Sequence, residues 1–102
     1  MSITNKQLHT LYVSNLNDQV NQSTLKQNLY ILFITYGDII EINMDKKKLR
    51  GQAFIAFNNV DSANLAKRSL NGTEFFGKSL KIEVSNQENK KIEELQKSIT
   101  IN

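Results

Sequence analysis

Two aromatic residues stand where an alternating strand would carry polar ones. Tyr12 lies in Leu11-Tyr12-Val13-Ser14-Asn15-Leu16, and Phe54 lies in Arg50-Gly51-Gln52-Ala53-Phe54-Ile55-Ala56-Phe57. Successive side chains of a strand point to opposite faces. Leu11 and Val13, and on the second segment Ala53, Ile55 and Phe57, therefore form one apolar face. Tyr12 and Phe54 share the other face with Ser14 and Gln52. The aliphatic residues already supply a core surface, so the two rings are left for a partner with flat apolar faces, and nucleobases stack well on such rings. The surrounding chemistry suits the same partner. Lys46, Lys47, Lys48 and Arg50 place cations just ahead of the Phe54 strand, for phosphates, and Asn15 and Gln52 offer neutral polar groups, for base edges.

These residues need a scaffold. The chain has 102 residues, enough for one core and one domain. Its formal net charge of +3 is a mild bias toward polyanions, and the clustering of cations is more telling than the total. It has no cysteine, which excludes disulfides, thiolate metal sites and cysteine nucleophiles and fits an intracellular protein. No apolar run is long enough to span a membrane, and the polar start Met1-Ser2-Ile3-Thr4-Asn5-Lys6 is unlike a signal peptide. The only histidine, His9, falls at the edge of the N-terminal tail, and no nucleophile or carboxylate pair has a base at useful spacing. We therefore expect a binding domain with no enzymatic activity, cofactor or metal.

The periodicities predict strand, helix, strand, strand, helix, strand. The first strand runs from Thr10 to Asn15. A helix capped by Asn21 or Ser23 continues to about Thr35, with Leu25, Leu29, Leu32, Phe33 and Tyr36 on its inner stripe and Gly37 as its end. Asp38 to Met44 reads as a strand with Ile40, Ile42 and Met44 on one face and Glu41 and Asn43 on the other. It forms a hairpin with Gln52 to Phe57. Asp61 is the expected cap of a second helix that turns Ala63, Ala66 and Leu70 inward and closes at Asn71-Gly72. Phe75-Phe76-Gly77-Lys78 reads as a turn in a short ribbon. In the last strand, Leu80 to Val84, Leu80, Ile82 and Val84 alternate with Lys81 and Glu83. This order is the α+β ferredoxin-like βαββαβ sandwich, a four-stranded antiparallel sheet with two helices on one face. The domain proper spans residues 10–85, between a 1–9 tail and an 86–102 tail. At the junction with the latter, Ser85 and Glu88 have capping-box spacing, Asn89 is a competing start, and Ile92, Leu95 and Ile99 share a helical face, so a short helix and a frayed tail are both open.

The segment Arg50 to Phe57 resembles the third strand of an RNA-recognition motif, with Gln52 in place of one customary aromatic. With that glutamine, and with Leu11 to Asp18, Leu29-Tyr30-Ile31-Leu32-Phe33 and Phe75 to Lys78, the chain is similar to the U1 A / U2 B″ small nuclear ribonucleoprotein family over roughly Thr10 to Ser85. A single short motif is most like the fungal B″ type. The resemblance implies binding to a hairpin loop of a spliceosomal RNA in the nucleus. For the B″ type this is a U2 snRNA hairpin, bound with a leucine-rich-repeat A′-type partner among other spliceosomal proteins. It also implies that Tyr12 and Phe54 stack on loop bases, that Asn15 and Gln52 make polar contacts, and that Arg50 sits where loop meets stem. Lys46, Lys47, Lys48, Lys78 and Lys81 complete the expected RNA-binding set.

The chain departs from the family in three places. The basic loop is one residue shorter than in the animal proteins, Glu83 stands where Gln is common, and Ser14 precedes Asn15 where a second Asn is frequent. These departures imply weaker binding by the chain alone. On the first helix, Tyr30, Ile31 and Ile34 lie off the inner stripe at about 100° per residue, and an outward apolar patch there suits a protein partner. A U1 snRNA hairpin and a protein-only interaction module are the competing readings. Because acylphosphatase shares this topology, the chemistry has to be argued from the site.

Overall fold

The computed structural model describes residues 9–44 and 50–85. Strand β1 (Thr10–Ser14) leads through a loop to helix α1 (Gln22–Phe33), which tightens into a 3₁₀ turn at Ile34–Tyr36. Strands β2 (Ile39–Asn43) and β3 (Ala53–Phe57) follow, then helix α2 (Val60–Leu70), a ribbon of β4 (Glu74–Phe75) and β5 (Lys78–Ser79), and β6 (Lys81–Ser85). The main sheet has the order β2-β3-β1-β6, every pairing antiparallel. This is the expected α+β ferredoxin-like sandwich, with the two motif-bearing strands adjacent at its centre.

One contiguous core joins the inner faces of sheet and helices. Leu11, Val13, Ala53, Ile55 and Phe57 from the sheet meet Leu25, Leu29 and Phe33 from α1 and Ala63, Ala66 and Leu70 from α2. Leu32 and Tyr36 pack against its margin, so the inner stripe of α1 is the one the sequence predicts. Asn21 caps α1, its side-chain oxygen accepting from the N–H groups of Ser23 and Thr24 at 2.8 and 3.3 Å. Ser23 is thereby the capped residue and not the cap.

Four expectations need correcting. Asn59, not Asp61, caps α2: its backbone is extended and its side chain accepts from the Ser62 N–H at 2.8 Å. Asp61 falls in the first turn instead, where a carboxylate complements the positive end of the helix dipole. Ile40 does not face the core. Ile39 pairs with Phe57 and Glu41 with Ala56, so Ile40 is the extra residue of a bulge, and it stands 61% exposed while Ile39 takes the inner place. Val84, although opposite Leu11 in register, is exposed on edge strand β6. Gly37 ends the 3₁₀ turn and not α1 itself, and its backbone is extended rather than left-handed.

Gly37 is required by close approach. A Cβ there would land on the Ser62 side chain in the first turn of α2. Gly37→Ala should destabilise the domain by about 1–3 kcal/mol, as overpacking does. Urea unfolding with an unchanged slope and a lower midpoint is the expected readout.

Candidate nucleic-acid interface

The register of the sheet turns two distant segments into one surface. Tyr12 pairs directly with Phe54, Phe54 with Asn43, and Tyr12 with Glu83. A single row, Asn43–Phe54–Tyr12–Glu83, therefore crosses all four strands on the face away from the helices. The two rings at its centre lie 5.2 Å apart, tilted by 38°, and both are half-buried. Cross-strand aromatic neighbours hold each other in place and still present ring surface outward. Asn43 and Glu83 flank them with polar groups. Glu83 can accept from a base amino group and repels phosphate, so it favours bases over backbone at its end of the row.

A second cluster forms at the end of the sheet where β1 stops. Asn15 adopts a left-handed backbone, with φ of 64°, and its side-chain amide donates to the Ser79 carbonyl at 2.8 Å. Asn17 donates to the Phe76 carbonyl at 3.0 Å, and its Oδ1 accepts from the Gln19 N–H at 3.0 Å. The β1–α1 loop thus clasps the β4–β5 ribbon. Asn15, expected as a polar reader, already commits one of its amide donors to this clasp. What it can offer RNA is its Oδ1 and the remaining N–H.

The same loop positions Arg50. The Leu16 N–H donates to the Gly51 carbonyl at 3.0 Å. Gly51 has φ of 69°, and a Cβ there would press on the Leu16 carbonyl oxygen at 3.2 Å, so glycine is needed for this approach. Arg50 Nε lies 3.3 Å from Asp18 Oδ2. The pair is well exposed, 70% and 42%, so it contributes at most about 1 kcal/mol to stability. Its value is orientation. With Nε turned to Asp18, the two terminal guanidinium nitrogens carry Arg50's remaining donors.

Gln52, half-buried, immediately precedes β3 and shares the Phe54 face by alternation. Lys81 lies opposite Ser14 on the open face, and Lys78 is exposed on β5. Lys46, Lys47 and Lys48 lie outside the described residues. Asp18 and Asn17 were not singled out by the sequence. Asn17-Asp18 two residues beyond Asn15 was a usable signal, since Asn and Asp favour such local turns.

A third feature lies away from the open face. Tyr30, Ile31, Ile39, Ile40 and Ile42 line a groove of about 600 Å³ between α1 and β2, with Lys26 and Glu41 also on its walls. Ile31 is 65% exposed, and Tyr30 is exposed beside it. Ile34, grouped with them from the sequence, is half-buried in the 3₁₀ turn and is not among the groove's lining residues. Among the described residues no group of His, Asp or Glu could hold a metal ion, and no helix is long and apolar enough to cross a membrane.

Known proteins share this fold. The family model of the RNA recognition motif matches residues 11–81. A Schizosaccharomyces pombe protein described as a probable U2 small nuclear ribonucleoprotein B″ is 41% identical over 88 residues, covering 85% of this chain and 79% of that protein. The U2 small nuclear ribonucleoprotein B″ of Dictyostelium discoideum is 44% identical over 75 residues, or 72% of this chain and 31% of that one. The U1 small nuclear ribonucleoprotein A of Drosophila melanogaster is 39% identical over 77 residues, or 74% of this chain and 36% of that one. The chain thus spans most of the fission-yeast relative and about a third of the other two. Among solved structures, the Caenorhabditis elegans NONO-1 homodimer matches with a TM-score of 0.63 and 26% identity, covering 79% of this chain and 31% of that one.

Proposed function

The chain belongs to the RNA-recognition-motif family, in the branch with relatives named U2 B″ and U1 A, and from that membership we propose that it is a spliceosomal small nuclear ribonucleoprotein component that binds a U2 snRNA hairpin loop in the nucleus. The observation that carries this reading is the Tyr12–Phe54 pair, set side by side on an open face, with Arg50 at the end of the sheet, its Nε turned to Asp18.

The physical course is stacking first, selection second. Loop bases are unstacked and expose both faces and edges, and each base laid on a ring gains about 1–3 kcal/mol with little sequence choice. Choice comes from polar groups at fixed positions beside the rings: Asn43 and Glu83 in the row, Gln52 next to Phe54, and the remaining capacity of Asn15. Arg50, Lys78 and Lys81 contact phosphates at the end of the sheet and set the orientation of the stem, with Lys46, Lys47 and Lys48 extending the clamp. This is a binding role without a catalytic step.

The α1–β2 groove is the docking place of a leucine-rich-repeat A′-type partner. It lies off the open face, so RNA and protein can be held together. The relative named U1 A supports a second reading, a U1 snRNA hairpin as the target. Sequencing the RNA crosslinked to the tagged protein, with copurified proteins identified from the same sample, tests both. Enrichment of the U2 hairpin and an A′-type protein is expected. Enrichment of the U1 hairpin selects the second reading, and enrichment of neither overturns both.

A further inference from the structure

The tight turn between β4 and β5 holds a residue in a costly conformation. Phe76 has φ of 51° and Gly77 has φ of 85°. Two consecutive positive values are those of the hairpin turn that favours Asn or Gly at its first position, and a bulky aromatic there is strained. Strain of this kind survives only where the surroundings over-determine it, and it points to a use. Here the surroundings do so. Glu74 pairs with Ser79 and Phe75 with Lys78, while Asn17 holds the Phe76 carbonyl and Asn15 holds that of Ser79.

The Phe76 ring is not taken up by the core. It is 39% exposed and meets Phe75 edge to face, with centroids 4.9 Å apart and planes at 85°. Phe75 packs against the core margin, so it serves as the anchor and Phe76 as the presented ring.

Position decides what the ring is for. The clasp by Asn15 and Asn17 brings this turn to the end of β1, the strand that carries Tyr12. The Leu16–Gly51 hydrogen bond brings Arg50 to the same end. Lys78 follows the turn directly and Lys81 opens β6, and both are exposed. An exposed ring with Lys78 and Lys81 in the segment after it suits a polyanion with flat apolar faces, which is a nucleotide chain. The apolar groove suited to a protein lies instead against β2, at the opposite edge of the sheet from β6.

We propose that Phe76 is an additional stacking residue, taking a nucleobase of the bound RNA where the strand leaves the Tyr12–Phe54 face. This rests on the reading of the open face as an RNA site. Asn15 and Asn17 tie the turn down in the free protein, so stacking on the ring requires little reordering.

The test compares Phe76→Asn, Phe76→Tyr and Tyr12→Ala in the full chain, titrated with a synthetic RNA hairpin carrying the U2 snRNA loop. Asparagine tolerates the left-handed turn, so Phe76→Asn should keep or raise the melting temperature while lowering affinity about fivefold or more, the low end of one base–aromatic stack. The slope of log affinity against log salt should not change, because a stacking contact releases no counterions. Phe76→Tyr should bind like the parent. If Tyr12→Ala abolishes binding and Phe76→Asn does not weaken it, the inference fails and the RNA site stands. If neither variant affects binding, the RNA site itself is wrong. A lower melting temperature in Phe76→Asn would mark the ring as packing and overturn the proposal. So would unchanged RNA affinity with lost capture of a purified protein partner.

Discussion

Phe54→Ala should lower affinity for a U2 snRNA hairpin by tenfold to a hundredfold, about 1.4–2.8 kcal/mol, while the domain remains folded. The size follows from one lost base stack together with the loss of support for Tyr12, whose ring lies 5.2 Å away. The survival of the fold follows from the alternation of β3. Ala53, Ile55 and Phe57 are fully buried and make the core, whereas Phe54 is half-buried on the opposite face. Loss of the aromatic pair together with the half-buried ring surface should remove about 2 kcal/mol of stability. Phe57→Ala is the comparison that gives this its meaning. It removes a wholly buried ring and should cost about 3–5 kcal/mol, enough to unfold much of the population. Binding titrations beside thermal melts distinguish the two faces of one strand. If Phe54→Ala melts like Phe57→Ala, Phe54 is a core residue. If its affinity is unchanged, the open face is not where RNA binds.

This contrast also shows which parts of the molecule could be read from the chain. The period-2 alternation around Tyr12 and Phe54 is a local pattern, and the βαββαβ order places the two strands together at the sheet centre, so the Tyr12–Phe54 pair is legible in the chain alone. The inner stripe of α1 was legible for the same reason. Most of the misses depend on register or on contacts far along the chain. Ile40 fits an inward alternation perfectly well, and only the pairing of Ile39 with Phe57 and Glu41 with Ala56 shows it to be the extra residue. Asn15 and Asn17 read as members of a polar loop, and their bonds to Ser79 and Phe76 span 64 and 59 positions. Asp18 has no local feature that announces Arg50. Asp61 was the expected cap, and only the start of α2 at Val60 shows that Asn59 takes that place. Lys46, Lys47 and Lys48 were legible as a basic run, but they lie outside the described residues.

The Ile40 bulge matters for the proposed docking of a protein partner. Without it, Ile40 would be core and the outer surface of α1 would offer only isolated apolar residues, which are common on proteins and carry no special meaning. The bulge places Ile40 beside Ile31 and Tyr30 in one groove, and a contiguous exposed apolar patch is the form that partner sites take. Charging that groove should therefore have a large effect on assembly and little on folding. In Ile31→Glu/Ile40→Glu both changes fall at exposed positions, so the melting temperature should stay close to the parent's. Each isoleucine loses about 1.5–3 kcal/mol of burial in the complex, and each new carboxylate must be desolvated against an apolar partner. Affinity for a coexpressed, purified A′-type protein should fall at least about a hundredfold. RNA affinity should fall far less, because the Tyr12–Phe54 row faces away from the helices and Ile40 is set out of it by the bulge. Undiminished copurification of the partner with the double variant would show that it docks elsewhere. An equal loss of RNA binding would show that the two surfaces are not independent, and the groove would then act through the sheet and not through a partner of its own.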